Sequence, residues 1–401
     1  MHSPSPTASV AASPASAARL PLSGLLALAL TGFIAILSET LPAGLLDQIA
    51  DGMQISQAMA GQWVTAYALG SLLTAIPLVT LTQGWWRRRA LLLAIAGFIL
   101  FNGLTALSSD NTLTLCLRFL TGAAAGLAWG LIAGHARRMV EPAQQGKAMA
   151  VAMLGQPIAL SLGLPIGTWL GAWLGWRAAF VVVTVAALLL TVWVVRAVPD
   201  FPGQAAGKRP AALAVLRTPG VARVLLVILA WILGHNILYT YIVPLLATAG
   251  MAAEVGQVLM TFGLASLAGI VLVGLGVDRH LRGLVLLCLA GFALATLALG
   301  QAQGAAWLVH VSVALWGMTY GGAPTLLQTA CADAAGEGGD VAQSMLVTVW
   351  NSAIALGGII GGLLLVGAGV GSFGAVVLGL VALAWLLVLS GRRTGFVAGA
   401  R

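Results

Sequence analysis

Twelve mostly apolar stretches follow one another through the chain, each long enough to cross a bilayer as a helix. Few architectures can absorb so much apolar length. They fall at about 20–45, 57–81, 90–108, 113–134, 147–170 and 177–198, then at about 222–248, 255–277, 284–301, 305–330, 341–366 and 372–391. At about 20 residues per crossing they use about 240 positions, so no large aqueous domain fits in the remainder. The 401-residue chain is 60% hydrophobic and 7% charged, against about a quarter charged in a soluble domain. That excludes an ordinary water-soluble enzyme. The expected fold class is an all-α membrane protein of twelve transmembrane helices in two six-helix bundles. The longest polar break, 199–221, holds Pro199, Asp200, Lys208, Arg209 and Pro219, and it divides the chain into bundles at 20–198 and 222–391. A disordered Ala/Ser/Pro-rich leader (1–19) and a short tail (392–401) complete the expected organisation. The run from Leu20 is too long for a signal-peptide core and reads as a retained first helix.

Placing both termini and every second loop on one side gathers 17 of the 19 basic residues there. Among them are Arg19, Arg87, Arg88, Arg89, Arg137, Arg138, Lys208, Arg209, Arg279, Arg282, Arg393 and Arg401, whereas Arg118 and Arg177 are left over. The positive-inside rule then predicts cytoplasmic termini and a cytoplasmic central loop. The net charge of +8 is accounted for by this segregation, and no nucleic-acid partner is implied. The 331–340 segment is the exception, with Asp333, Glu337 and Asp340 but no Lys or Arg; its neighbours must set its side.

Cys116, Cys288 and Cys331 are too widely spaced to specify a disulfide framework or a metal cluster. The sequence Gly203, Gly207, Lys208, Arg209 is too short for a phosphate-binding loop and runs into Pro210, so no ATPase site is expected. With no nucleophile elbow or paired-histidine metal motif either, the chain reads as a transporter rather than an enzyme, with no cofactor. Energy would come from an ion or substrate gradient.

Charged and amide residues inside apolar spans are costly unless they face a partner or water. Glu39 stands eight residues before Asp47 and Arg118 eight residues after Asp110, so both sit about 12 Å inside their flanking acids. They could form an internal ion pair, take part in proton or substrate coupling, or face an interface. His235 titrates near neutral pH in water and is a third candidate for proton transfer, or a packed histidine satisfied internally. Tyr67, Gln156, His235, Asn236, Tyr239, Gln328 and Asn351 are candidates for a substrate cavity, with Asn102, Tyr241 and His310 as further polar groups. The tryptophans at 63, 129, 231, 316 and 350 add amphipathic surface, for which packing or an interfacial belt is the alternative use. Gly163, Pro165 and Gly167, with Gly155 and Pro157, predict a bent or closely packed fifth helix that could serve gating. Gly122, Gly126 and Gly130, and Gly357 with Gly361, lie on smooth helix faces suited to tight packing or to sliding.

Several of these stretches resemble the major facilitator superfamily, in particular its bacterial drug and small-molecule proton antiporters, over about 20–391. Ser38-Glu39-Thr40-Leu41-Pro42-Ala43-Gly44 is similar to the first-helix signature of the branch with arabinose-efflux-like, purine-exporter-like and multidrug exporters. Arg118-Phe119-Leu120-Thr121-Gly122 resembles the fourth-helix proton-coupling motif. Gly155, Pro157, Gly163, Pro165, Gly167 and Gly171 resemble the fifth-helix antiporter motif, followed by Gly175-Trp176-Arg177. The loop between the second and third helices departs from the family pattern. It keeps Arg87-Arg88-Arg89 but has Val79, Gln83 and Trp86 where two glycines and an acid are usual. The matching loop of the second half keeps Gly274, Asp278, Arg279 and Arg282.

The resemblance implies alternating access around a mid-membrane site, with proton-coupled export of a small, partly hydrophobic compound across a bacterial inner membrane. Partners would be the substrate, protons and lipid, and a single chain would suffice. Glu39 would carry the acidic role with Arg118 beside it, and Arg87, Arg88, Asp278, Arg279 and Arg282 would serve gating. A narrow-specificity sugar or purine exporter is the nearest rival, and a transport-inactive receptor or scaffold is a rival of a different class.

Overall fold

The structure, a computed structural model, describes residues 20–205, 210–251, 254–302, 304–392 and 394–396, apart from the side chains of 57, 58 and 161. The expected leader at 1–19, with Arg19, lies outside the described residues, as do Lys208, Arg209, Arg393 and Arg401.

The first half contains α1 (Leu22–Gly44), α2 (Gln57–Leu81), α3 (Arg87–Leu107), α4 (Asn111–Arg138), α5 (145–174) and α6 (Trp176–Ala197). The second contains α7 (Val221–Thr240), α8 (255–279), α9 (281–300), α10 (306–335), α11 (Gly339–Gly367) and α12 (Ser372–Ser390). Nine helical stretches among the described residues are long and apolar enough to cross a membrane. Two of these, Val255–Gly300 and Ala306–Gly367, are long enough at 1.5 Å per residue for two crossings each. The interrupted α5 is consistent with the remaining pass. Helix starts have local causes: the Ser56 hydroxyl accepts from the Met59 N–H (3.2 Å) and the Asp110 carboxylate from the Leu113 N–H (2.6 Å), each satisfying an otherwise orphaned donor.

Two departures from the sequence expectation matter. The connection from α8 to α9 is not a loop, because Val255–Gly300 runs on with a single break at His280 (φ −129°, ψ 29°). The segment 331–340 is also mostly helical: α10 extends to Ala335, and one turn, Gly336–Gly338, joins it to α11. The fifth helix is irregular, as its glycines and prolines predict: α5 is assembled from Gln145–Met153, Gly155–Ile158, a π-helical turn at Ala159–Gly163 and Leu164–Leu174. A proline without an amide donor at 157 and a widened turn beyond it give this helix its irregular backbone.

Two apolar cores form, one drawn from residues 25–198 with Ile270, the other from residues 215–396. Small residues bring helices together inside each half, and at the basic end also between halves, where Gly134 abuts Asp340, Gly146 abuts Val277 and Gly274 abuts Ala150. A side chain at Gly122 would collide with the Tyr67 carbonyl of α2, and one at Gly321 with the Ser266 carbonyl of α8. Gly357 and Gly361 seat α11 against Asn236 and Tyr241. Gly163 and Gly167 seat α5 on Phe33 and Leu41 of α1, while Pro165 is exposed on the outer face. These glycines therefore pack within their own halves, the tight-packing use expected beside sliding. Gly130, which also reaches Ser344 of the other half at 3.6 Å, is the partial exception.

Candidate functional site

Arg118 is fully buried where α1, α2, α3, α4 and α6 converge. Its guanidinium donates to the Ser38 carbonyl, to the Trp63 carbonyl (3.4 Å) and to Asn102 Oδ1 (3.4 Å). The Tyr67 and Phe180 rings stand 5.1 and 5.6 Å from it. Asn102 in turn donates to the Ser38 hydroxyl (2.9 Å), and Tyr67 donates to the Ala35 carbonyl (2.7 Å). A buried cation is tolerable only with such a shell of oxygens and ring faces. The direct ion pair with Glu39 is not formed: Arg118 holds the backbone of the preceding residue, Ser38, and among the described residues Glu39 makes no salt bridge. Glu39 itself lines a cavity.

That cavity, of about 250 Å³, lies between the halves. From the first half come Glu39, Thr40, Tyr67, Trp129 and Gln156. The second half supplies His235, Asn236 and Tyr239 of α7, Gln328 of α10 and Asn351 of α11. The seven residues singled out for the cavity thus line one space, and the π-helical turn of α5 supplies Leu160 beside Gln156.

His235 is stacked on Tyr320, with ring centroids 3.5 Å apart, and against Tyr239 at 5.3 Å. The Trp316 indole N–H donates to His235 Nδ1 at 3.1 Å. An indole nitrogen only donates, so Nδ1 carries its lone pair and the neutral ring has its proton on Nε2. Protonating Nδ1 would break that bond, so in this arrangement His235 is a fixed neutral donor, unlike the proton carrier expected as one of its uses. Trp63 and Trp231 are fully buried in packing, whereas Trp129 and Trp350 reach the cavity.

Several lining groups went unrecognised in the sequence: Phe262, Tyr320 and Gln343. Gln343 had a findable signal, since Gln343, Val347, Trp350, Asn351 and Ile354 recur at helical spacing on one face of α11.

The cavity is closed at the end of the bundle that carries most of the arginines, here the basic end. Arg87 Nη1 meets Asp340 at 3.0 Å with both side chains almost wholly buried, and Arg138 meets the same carboxylate at 3.1 Å. Arg87 also donates to the carbonyls of Thr82, Gln83 (2.6 Å) and Trp85 (3.2 Å). Arg137 pairs with Asp333 at 2.8 Å. On the other flank, Asp278 of α8 accepts from the Gly146 and Lys147 amides at the start of α5, the latter at 3.2 Å. There a carboxylate meets the positive end of a helix dipole across the halves. The acid missing from the loop before α3 is therefore replaced by Asp340 from the opposite half, and the acids of 331–340 sit among arginines.

Other expected gating residues do different work. Arg88 donates to the Val195 and Val198 carbonyls (3.2 and 3.4 Å) and pairs with Asp200 (3.7 Å). Arg282 donates to the Val388 and Leu389 carbonyls (3.4 and 3.2 Å) at the end of α12. Each caps a helix end in its own half. Arg279 is exposed and makes no ion pair or hydrogen bond among the described residues. Away from the basic end, the hydrogen bonds joining the halves among the described residues are Gln328 to Met153 Sδ (3.0 Å) and Thr348 to the Leu72 carbonyl (3.3 Å). The polar contacts between the halves thus gather at the basic end.

Such a fold and cleft define a multi-pass membrane transporter. The Major Facilitator Superfamily domain matches residues 28–362, and the chain belongs to that family. It is 30% identical over 351 residues to a chloramphenicol efflux pump of Mycobacterium tuberculosis, covering 84% of each chain. It is 28% identical over 361 residues to a probable sugar efflux transporter of Helicobacter pylori, covering 89% of this chain and 92% of that one. The proton:xylose symporter XylE bound to 6-bromo-6-deoxy-D-glucose superposes with a TM-score of 0.75 at 15% identity, over 95% of this chain and 96% of the other. FucP in the outward conformation gives 0.74 at 15% identity, over 94% and 99%. At that identity the two structures show a shared fold.

Proposed function

We propose that this chain exports a small, partly hydrophobic compound from the cytoplasm by alternating access, driven by protons moving inward. The observation that carries the reading is a cavity walled by both halves, closed across the basic end by Arg87, Arg138 and Asp340, with the Glu39 carboxyl on its wall. If the positive-inside rule holds, the basic end is cytoplasmic and the protein stands open to the outside. The membrane would then be a bacterial inner membrane, with both termini cytoplasmic. Export of chloramphenicol and of sugars by the named relatives supports the direction of transport.

In this mechanism Glu39 takes a proton from the outer side while the cavity is open. Neutralising the acid lowers the cost of enclosing it when the outer end closes and the basic end opens. The proton leaves to the cytoplasm and the re-formed carboxylate competes for, or attracts, substrate. Arg118 sets the local field and fixes the backbone beside Glu39. The abundance of amides on the wall favours the second reading, a narrow-specificity sugar or nucleoside exporter, over a purely apolar multidrug site.

Proteoliposomes under an imposed pH gradient, loaded with chloramphenicol, a sugar and a nucleoside, test both readings. We expect gradient-dependent flux of at least one compound, abolished in Glu39→Gln. Flux without any dependence on the gradient would remove proton coupling, and no flux from a folded protein would favour the scaffold reading.

A further inference from the structure

The amide side chains of the second half share an orientation that the export reading does not require. Asn236 Nδ2 donates to the Ile232 carbonyl at 2.8 Å, and Asn351 Nδ2 to the Val347 carbonyl at 2.9 Å. Gln343 Nε2 donates to the Gln328 carbonyl at 2.7 Å, and Gln328 Nε2 to Met153 Sδ at 3.0 Å. Carbonyl oxygens and a thioether sulfur only accept, so the nitrogen end of each amide is fixed toward the protein and cannot be exchanged for the oxygen end. All four residues line the cavity. Among the described residues, none of their amide oxygens accepts a hydrogen bond, and none is sealed off by the protein. With Glu39 opposite, these amides give part of the cavity wall oriented acceptors, set beside the donors of His235 and the tyrosine hydroxyls. Beside them stands an aromatic wall of Tyr239, Phe262, Tyr320 and Trp350, stacked around His235.

Polar groups in a partly enclosed site select by what they leave unpaired. A ligand that supplies donors satisfies these oxygens, whereas a capped or anionic ligand strands them or sets like charge against Glu39. We propose that this cavity selects its substrate by hydrogen-bond donors: a neutral compound with several hydroxyl or N–H groups on a ring with an apolar face, against donor-capped and anionic forms of the same ring. The inference rests on the cavity being the substrate site of the proposed exporter, and it narrows the class that exporter would carry.

The test is binding without transport. Full-length protein in detergent is titrated with para-nitrophenyl glucoside, its fully O-methylated ether and para-nitrophenyl glucuronide, and quenching of tryptophan emission is followed. Trp129 and Trp350 at the cavity are the expected reporters. We expect the glucoside to bind about tenfold or more tightly than either analogue. Asn351→Leu should shrink that ratio to about threefold or less, because it deletes one oxygen while its own bond lies within α11. Equal or tighter binding of the ether or glucuronide overturns the proposal, as does no binding of the glucoside or an unchanged ratio in Asn351→Leu. Donor-selective binding by a protein that moves nothing in vesicles would leave the proposal standing and remove the export reading. Gradient-driven flux of the O-methylated ether in preference to the glucoside would do the reverse.

Discussion

The first half brings charge to the cavity, with Glu39 on its wall beside Tyr67 and Gln156 and Arg118 immediately behind, whereas the second half brings four amides, two tyrosines and a neutral histidine. In the first half the cation is enclosed by carbonyls and rings from neighbouring helices, leaving its acid accessible to the cavity. In the second half every cavity amide is anchored by its nitrogen, so specificity can be set without any formal charge. A transporter needs one group that changes charge and many that do not, and two linked bundles allow these tasks to evolve on separate walls. The contrast also separates residues that the sequence motif joins: Arg118 holds helices together, and Glu39 is available to react.

The strongest way to break that distinction is Arg118→Ala. Removing the cation strands the Ser38 and Trp63 carbonyls and Asn102, and empties the junction of several helices. A loss of about 3–5 kcal/mol is expected, read as loss of monodisperse protein or a sharply lower unfolding temperature. Glu39→Gln should unfold at nearly the wild-type temperature while losing gradient-driven flux at least about tenfold. If both variants damage stability equally, the separation of roles fails.

Next in size is the seal. Asp340→Asn removes the acid shared by Arg87 and Arg138 and should weaken the closed basic end by about 2–4 kcal/mol. Faster hydrogen exchange of the backbone amides flanking Asp340, by about tenfold or more, reads this opening. Asp278→Asn, which weakens the cap on α5, should act in the same direction by about 1 kcal/mol. Arg279→Ala sharpens the comparison by its silence: an exposed arginine without an ion pair should change seal opening and stability by less than about 0.5 kcal/mol. A large effect there would return Arg279 to the gate and weaken the role given to Arg87.

Helix existence was legible because apolar length has few uses outside a bilayer, and observed boundaries such as Leu22–Gly44, Trp176–Ala197 and Ser372–Ser390 fall within a few residues of the apolar stretches. The placement of Tyr67, Gln156, Asn236 and Asn351 around one space was also within reach, since an amide or phenol inside a span must face protein or water. The break at His280 and the short turn at Gly336–Gly338 were less readable, because helical hydrogen bonding can continue through a few polar residues at a membrane surface.

Sequence alone determined the class of fold, the gathering of basic residues at one end and the presence of buried charge, because each follows from how a bilayer treats polar and charged groups. Only the tertiary structure decided the pairings. Arg118 met Ser38 instead of Glu39, Arg87 found its acid some 250 positions away in Asp340, and His235 accepted from Trp316. Such partners depend on which helix faces meet and on which end of a side chain is committed first, and neither is written in the spacing of residues along one helix.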